Sequence, residues 1–288
     1  MRDTRDMLLV LLSSLLMLTG CSRRDILDDY PVSGVEISLD WNGVTNKLPE
    51  GVRVIFYPKN AEGRKIDTYL SVKGGKVKVP PGRYSVVVYN YDTETVQIRG
   101  EEAYETIEAF TGHCNGLGIA GTEQLVWGPD PLYVVRIDDL KIENSEEELQ
   151  LNWKPKLVVK TYSFKLKVQG LEYVSSIVGS IEGMSSCYDL GLGCGKAGDS
   201  PIYFAARGSA GEVTGSFTVF GTSEGVISRA GNAIKLTLAF VKTDNKVQKM
   251  EVDITEVIAN SESGGSGGDD DGDEPFKEIE LPVEDEVK

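Results

Sequence analysis

The chain has 288 residues, of which 40% are hydrophobic, and its formal net charge is −15 at pH 7. This length and apolar content are sufficient for two folded domains. The acidic balance excludes a nucleic-acid-binding protein, because phosphate recognition needs clustered Lys and Arg, and it also excludes adsorption to a membrane surface through basic residues.

The N-terminus has the layout of a secretory signal peptide. Residues 1–20 contain a short polar head and an apolar run that is too short to cross a bilayer as a stable helix. Leu18-Thr19-Gly20-Cys21 resembles the lipobox of bacterial lipoproteins, in which a peptidase cuts before a lipidated cysteine. The alternative is an ordinary N-terminal anchor helix. We predict that Cys21 is lipidated, that residues 21–32 form a tether, and that the protein is lipid-anchored at the outer membrane, on the cell surface.

Residues 33–142 are predicted to form an N-terminal β-sandwich. Period-two alternation over Val35–Trp41 is typical of a half-buried strand. Val52–Tyr57 and Arg83–Tyr91 are richer in β-branched and aromatic residues, which predicts more central strands. Short strands at regular spacing, separated by Gly and Pro turns, favour an all-β sandwich. The segment Glu101–Phe110 fits a helical turn or a strand equally well.

The same pattern returns in residues 149–260, which predicts a second, C-terminal β-sandwich. Six strands are expected there, and they are Leu157–Val168, Val174–Ile181, Ile202–Ala206, Val213–Phe220, Ile234–Lys242 and Val247–Val257. Residues 261–275 are rich in Gly, Ser and Asp and are predicted to form a flexible acidic linker. From Glu262 onward there are eleven acidic residues against two lysines, so much of the negative charge lies near the C-terminus.

Residues 276–288 form a candidate terminal strand after this linker. Its predicted inward-facing residues are Phe276, Ile279, Leu281 and Val283. The strand could be donated to a neighbouring subunit, or it could fold back on an edge of the second domain. The flexible linker raises the effective concentration of the intramolecular pairing, so the fold-back alternative is favoured.

Several stretches together carry a resemblance to a known family, among them the lipobox, the Val35–Trp41 strand and Val54-Ile55-Phe56-Tyr57-Pro58. Val79-Pro80-Pro81-Gly82-Arg83-Tyr84, running into Tyr89-Asn90-Tyr91-Asp92, resembles a Pro-Gly-x-Tyr turn and Asn-rich aromatic segment of the fimbrillin-associated anchor lipoproteins of Bacteroidota, the minor anchor subunits of type V fimbriae. Gly179–Met184 is similar to that family's small-residue strand ending at Gly-Met. The resemblance spans roughly residues 18–220 and also fits a sister family of uncharacterised lipoproteins.

The resemblance implies two tandem Greek-key, transthyretin-like sandwiches. It further implies a protein that anchors or helps to assemble fimbriae, with other fimbrial subunits as its partners. Such subunits join by strand addition at a sheet edge, where one chain completes the sheet of another.

A different function, surface glycan binding in a nutrient-uptake system, depends on Trp127 and Tyr133. These residues lie near Gly and Pro turns and could form a stacking surface for a sugar ring. Packing in a core or between domains is favoured, because Trp and Tyr usually end up largely buried. Trp41 and Trp153 are assigned to the core.

No cofactor other than the covalent lipid, no metal site and no catalytic activity are expected. Cys187 and Cys194 could form a disulfide across a Gly-rich loop, or could stay unpaired together with Cys114. The acidic run Asp269–Glu274 could bind calcium, but it lacks EF-hand spacing, and a solvated spacer is favoured. No Gly-x-Ser-x-Gly, His-Glu-x-x-His or phosphate-binding Gly loop occurs, so an enzyme is not predicted.

Overall fold

The computed structural model describes residues 33–45, 47–60, 63–114, 124–197, 200–221, 233–263 and 276–287. The predicted signal peptide, residues 1–20, and the tether, residues 21–32, lie outside these ranges. Within the described ranges, no helix has the length and apolarity needed to cross a membrane.

The first domain is built on an eight-stranded sheet of order β10-β1-β4-β3-β2-β5-β9-β11. Its strands are β1 (Ser33–Leu39), β2 (Gly51–Pro58), β3 (Ile66–Ser71), β4 (Gly74–Val79), β5 (Gly82–Asn90), β9 (Tyr133–Ile142), β10 (Leu149–Trp153) and β11 (Lys156–Leu157). Neighbouring strands are antiparallel, except that β10 runs parallel to β1.

The central strands of this sheet are buried on both faces. Val54 and Phe56 of β2 belong to one apolar core, and Ile55 and Tyr57 of the same strand belong to a second one. The second core also contains Phe220, which comes from the other domain. Because both faces are covered, β2 and β5 have the continuous apolar sequences that typify central strands.

The second domain has a seven-stranded sheet of order β19-β18-β13-β16-β17-β12-β20, together with a short helix. Its elements are β12 (Val159–Gln169), β13 (Val174–Glu182), β16 (Ile202–Ser209), β17 (Glu212–Phe220), β18 (Lys235–Lys242), β19 (Val247–Asp253), α1 (Thr255–Ser263) and β20 (Phe276–Glu286), with a 3₁₀ turn at Leu171–Tyr173. The core residue Ile258 of α1 packs in the same cluster as Ile279 of β20.

The two domains share one topology. Numbered along the chain from β1 in the first large sheet and from β12 in the second, the first six strands of each sheet lie side by side in the order 1-4-3-2-5-6. The first strand lies beside the fourth, which is the Greek-key arrangement. In each domain a further strand then pairs in parallel with the first one: β10 with β1, and β20 with β12. The predicted all-β class with two tandem β-sandwich domains is confirmed.

Two boundaries differ from the predicted ones. The second domain was expected to begin at residue 149, but β10 and β11 complete the first sheet, and the second sheet begins at Val159. The predicted strand Val247–Val257 ends at Asp253, where the Asp253 carboxylate accepts hydrogen bonds from the backbone N–H and hydroxyl of Thr255 at 2.9 and 2.6 Å and α1 begins. Local polar bonds of this kind stop a strand and start a helix, which a β-propensity pattern does not reveal.

A third sheet of four strands joins the two domains. Its order is β15-β14-β7-β6, with β6 (Val96–Arg99) and β7 (Glu108–Thr111) from the first domain and β14 (Ser185–Asp189) and β15 (Cys194–Ala197) from the second. In addition, β8 (Val126–Trp127) pairs in parallel with β16. Segment 101–110, for which the sequence left helix and strand open, forms turns up to Thr106 and then enters β7.

A cluster of charges lies on this joining sheet. The carboxylates of Glu108 and Asp189 are cross-strand partners, and both residues are buried. Facing like charges are unfavourable, but the Lys196 ammonium lies 2.9 Å from a carboxylate oxygen of each. Burial alone would raise the pKa of the Glu108 carboxyl, yet hydrogen bonds from Lys196 and Arg99 outweigh burial and hold that pKa below its usual range.

We expect Lys196→Met to lower the free energy of unfolding by about 1–3 kcal/mol, because two buried carboxylates would then face each other without the shared cation. The matched control is Lys141→Met. Its partner Glu143 and Lys141 itself both have side chains that are 71% exposed, so its effect should stay below about 0.5 kcal/mol. Urea unfolding at pH 7 measures both, and equal effects would contradict the role of the cluster.

Acid should weaken the same cluster. The folded-state pKa of the Glu108 carboxyl lies below its ordinary value of 4.5. The stabilisation is therefore fully present above about pH 4.5 and is lost as the pH falls through the lower, folded-state pKa. Unfolding free energies measured from pH 6 to pH 3 should fall more steeply for the natural chain than for Glu108→Gln. Parallel curves would show that Glu108 does not contribute.

Candidate functional site

One edge of the second sheet is formed by the terminal strand, and the other edge is formed by β19. β20 pairs in parallel with β12 over the register Thr161↔Phe276 to Gln169↔Glu286. The pairing continues beyond the strand end, where the backbone N–H of Val287 donates to the carbonyl of Gln169 at 2.9 Å. Of the two alternatives for this segment, the structure shows pairing within the chain.

Apolar side chains fix this strand to the second domain. Ile279, Leu281 and Val287 are 3%, 9% and 5% exposed and belong to the same core as Phe164 and Leu166 of β12. Burying side chains of this size stabilises by about 1.5–3 kcal/mol each. For the other two predicted inward-facing residues, Phe276 and Val283, the side chains lie outside what the structure describes. The terminal strand therefore completes the core and also forms the sheet edge.

The pairing of β20 is interrupted at its middle. One residue separates Lys165 from Lys167 on β12, whereas three residues separate their partners Glu280 and Glu284 on β20. This irregular stretch of β20 contains Pro282, which has no N–H for the ladder and is tolerated only at edges and bulges. The strand is thus held by two short ladders instead of one continuous ladder.

Gly170 allows the end of β20 to approach. Its φ is +77°, and a Cβ placed there would lie 2.4 Å from the carbonyl oxygen of Val287. A side chain would therefore collide with the chain end as well as strain the backbone. A glycine directly after a strand indicates a turn in the sequence, but nothing in the sequence indicates which distant segment needs the space.

The two aromatic residues considered as an alternative glycan surface do not lie together on the surface. Tyr133 is 4% exposed, and its ring packs edge-to-face on Trp41 with centroids 5.3 Å apart, so this residue is not part of a surface platform. Trp127 is 38% exposed and packs on Tyr203 of the second domain at 5.4 Å. Tyr133 thus follows the favoured packing interpretation, whereas Trp127 packs on one ring and keeps part of its surface exposed.

The other predicted sites have no assembled counterpart in the described residues. Cys187, Cys194 and Cys114 are free thiols, so the disulfide is not formed. In the β14–β15 hairpin, Cys187 is opposite Lys196, and Cys194 is opposite Asp189. Such a diagonal pair is about 7–8 Å apart, beyond the reach of a disulfide without backbone movement.

The lipidation site and the acidic run Asp269–Glu274 lie outside the described residues. Among the residues that are described, no group of three or more His, Cys, Asp or Glu side chains could hold a metal ion. Predicted linker residues 261–263 form the last turn of α1, and the rest of that linker lies outside the described ranges.

A family model described as "Domain of unknown function (DUF5119)" matches residues 20–205, which is well over half of the chain. The chain belongs to this family. A Bacteroides ovatus protein named "Putative fimbrium anchoring subunit Fim4B" is 60% identical over 300 residues, covering 100% of this chain and 90% of that protein. The resemblance to fimbrial anchoring proteins is thereby confirmed.

Solved structures agree with the fold of this DUF5119 member. A crystal structure of "a putative adhesin" from Bacteroides ovatus is 57% identical, with a TM-score of 0.79 over 94% of this chain and 97% of that one. The fimbrial anchor protein Mfa2 from Porphyromonas gingivalis has the same fold at 11% identity, with a TM-score of 0.52 over 87% of this chain and 89% of that one.

We expect Gly170→Ala to destabilise the pairing of β20 with β12 by about 1–3 kcal/mol, because the alanine strains the backbone and its Cβ collides with the carbonyl oxygen of Val287. Gly211→Ala is the matched control. Its φ is +81°, but a Cβ there would meet only the Val168 carbonyl at 3.9 Å, so only the strain is added. Hydrogen exchange of residues 276–287 should accelerate in Gly170→Ala alone. Equal acceleration in both variants would refute the contact.

Proposed function

We propose that this protein is a lipid-anchored subunit that anchors or helps to assemble fimbriae at the outer surface of the cell, and that it recognises other fimbrial subunits through strand addition at the β12–β20 edge. The anchoring role is supported by the 60% identical Bacteroides ovatus relative, which is named as a fimbrium anchoring subunit. Attachment through a lipid on Cys21 rests on the lipobox-like sequence at the end of the apolar N-terminal run.

The observation that carries the strand-addition mechanism is the parallel pairing of β20 with β12. A parallel neighbour cannot come from a tight hairpin and must arrive by a long connection. Residues 264–275 separate α1 from β20, so the connection that leads into β20 is long, and β20 keeps its place through the contacts of the pairing. A strand attached in this way can be exchanged for an equivalent strand of another chain.

The first domain offers the same position next to β1, where β10 lies in parallel. A repeated position of this kind is suited to end-to-end joining, because a strand that fits one domain fits the edge geometry of the next. The interruption at Pro282 lowers the cost of releasing β20, since two short ladders can open separately. In this mechanism β20 pairs with its own domain before assembly and with a neighbouring subunit afterwards.

A disulfide between β12 and β20 tests the mechanism without removing the strand from the core. Ser163 and Glu278 are register partners, and both side chains are exposed, so Ser163→Cys with Glu278→Cys can form a bond within the usual Cα separation. The bonded variant should recover at least tenfold less fimbrial subunit from detergent-solubilised membranes than the natural chain does. Reduction should restore recovery, and each single-cysteine variant is a control.

If the bonded variant recovers as much fimbrial subunit as the natural chain does, β20 is not donated. The contact then lies at the outer edge of β20 or on another surface. A second chain, truncated after Asn260, separates these cases if its first domain remains folded. Recovery that is lost only on truncation indicates the outer edge of β20. If no chain, including the natural one, recovers a fimbrial subunit, the anchoring role itself is wrong.

A further inference from the structure

An exposed pair of aromatic rings lies on the first domain, away from the β12–β20 edge. Tyr69 of β3 is 60% exposed, and Tyr91, directly after β5, is 45% exposed. Their ring centroids are 5.3 Å apart at an interplanar angle of 80°. Single exposed aromatic residues are ordinary on protein surfaces, but two rings in contact form one continuous surface.

The two rings meet because of a glycine between them. β2 lies between β3 and β5, and Gly51 is at the start of β2, opposite Ser71. A Cβ at Gly51 would lie 2.8 Å from the hydroxyl oxygen of Tyr91 and 3.0 Å from its Cε1. Since glycine has no side chain, the Tyr91 ring extends over β2 and reaches Tyr69.

Arg53 fixes this surface from the side. It lies two residues after Gly51, on the same face of β2, and its guanidinium carbon is 5.6 Å from the centre of the Tyr69 ring. The guanidinium donates to both carboxylate oxygens of Asp67 at 2.9 and 2.7 Å and to the Tyr89 hydroxyl at 2.8 Å. A cation held in this way keeps the Tyr69 ring in one position. The surface is therefore ordered before any ligand binds.

The charges around the pair favour a neutral ligand. Arg53 is also paired with Glu101, so the cation faces two carboxylates and offers little attraction to an anion. The same pairing occupies the carboxylates, so a cationic ligand would have to compete with Arg53. Among the described residues, the hydroxyls of Tyr69 and Tyr91 have no hydrogen-bond partner. Two exposed ring surfaces with free hydroxyls match a sugar, which has an apolar C–H face and hydroxyls at its rim.

We propose that Tyr69 and Tyr91, meeting over Gly51, form a binding site for a neutral sugar unit of an oligosaccharide. The sugar ring packs its C–H face on the tyrosine rings, and its hydroxyls bond to the phenolic hydroxyls and to outer lone pairs of the Asp67 carboxylate. The site lies in the first domain and does not depend on the strand-addition mechanism. It adds glycan contact to the fimbrial role.

The test uses the full chain and a panel of immobilised neutral oligosaccharides of glucose, mannose, galactose and N-acetylglucosamine, with heparin and polygalacturonate as anionic probes. The natural chain should bind at least one neutral probe. Tyr69→Ala and Tyr91→Ala should each weaken that binding at least tenfold without changing the melting temperature, because both side chains are exposed. Tyr91→Phe should retain most of the binding through its ring.

Tyr173→Ala is the matched control, since Tyr173 is 59% exposed and lies in the second domain. Its binding should equal that of the natural chain. An equal loss in Tyr173→Ala, no binding to any neutral probe, or preferred binding of an anionic probe would each overturn the site. Binding of a lysine-rich peptide in place of the sugars would also overturn it and would indicate a protein partner at this surface.

Discussion

The backbone pairing of β7 with β14 is the interaction on which the arrangement of the two domains depends. It places strands of both domains in one sheet and brings Glu108 beside Asp189, with Lys196 between them. The apolar cluster under this sheet also contains residues of both domains. A joint made of backbone hydrogen bonds, charges and apolar contacts resists bending better than a single connecting segment.

The two domains repeat one strand topology. In each domain, the large sheet is completed by a later strand that pairs in parallel with the first strand. In the first domain this strand, β10, follows closely after β9, whereas in the second domain it follows α1 and a longer segment. The same edge position is therefore filled through a short connection in one domain and through a longer one in the other. The difference lies in the connection and not in the pairing itself.

The β12–β20 edge and the Tyr69–Tyr91 pair are held in place by different interactions. β20 is held by ladder hydrogen bonds and by buried apolar side chains, so the core of the second domain is complete only when β20 is in place. Tyr69 and Tyr91 are exposed and are ordered by a missing side chain at Gly51 and by the guanidinium of Arg53. Because the two sites share no residue and lie in different domains, each can act without the other.

The sequence by itself determined the all-β class, the tandem arrangement and most strands, because alternation and turn residues are local signals. It also identified the terminal strand, since Ile279 and Leu281 alternate with acidic residues after a polar linker. Only the tertiary structure decided that β10 completes the first sheet, that Tyr133 is buried, and that Gly51 brings two tyrosines together. These features depend on contacts between segments distant in sequence, and local periodicity carries no information about which segments meet.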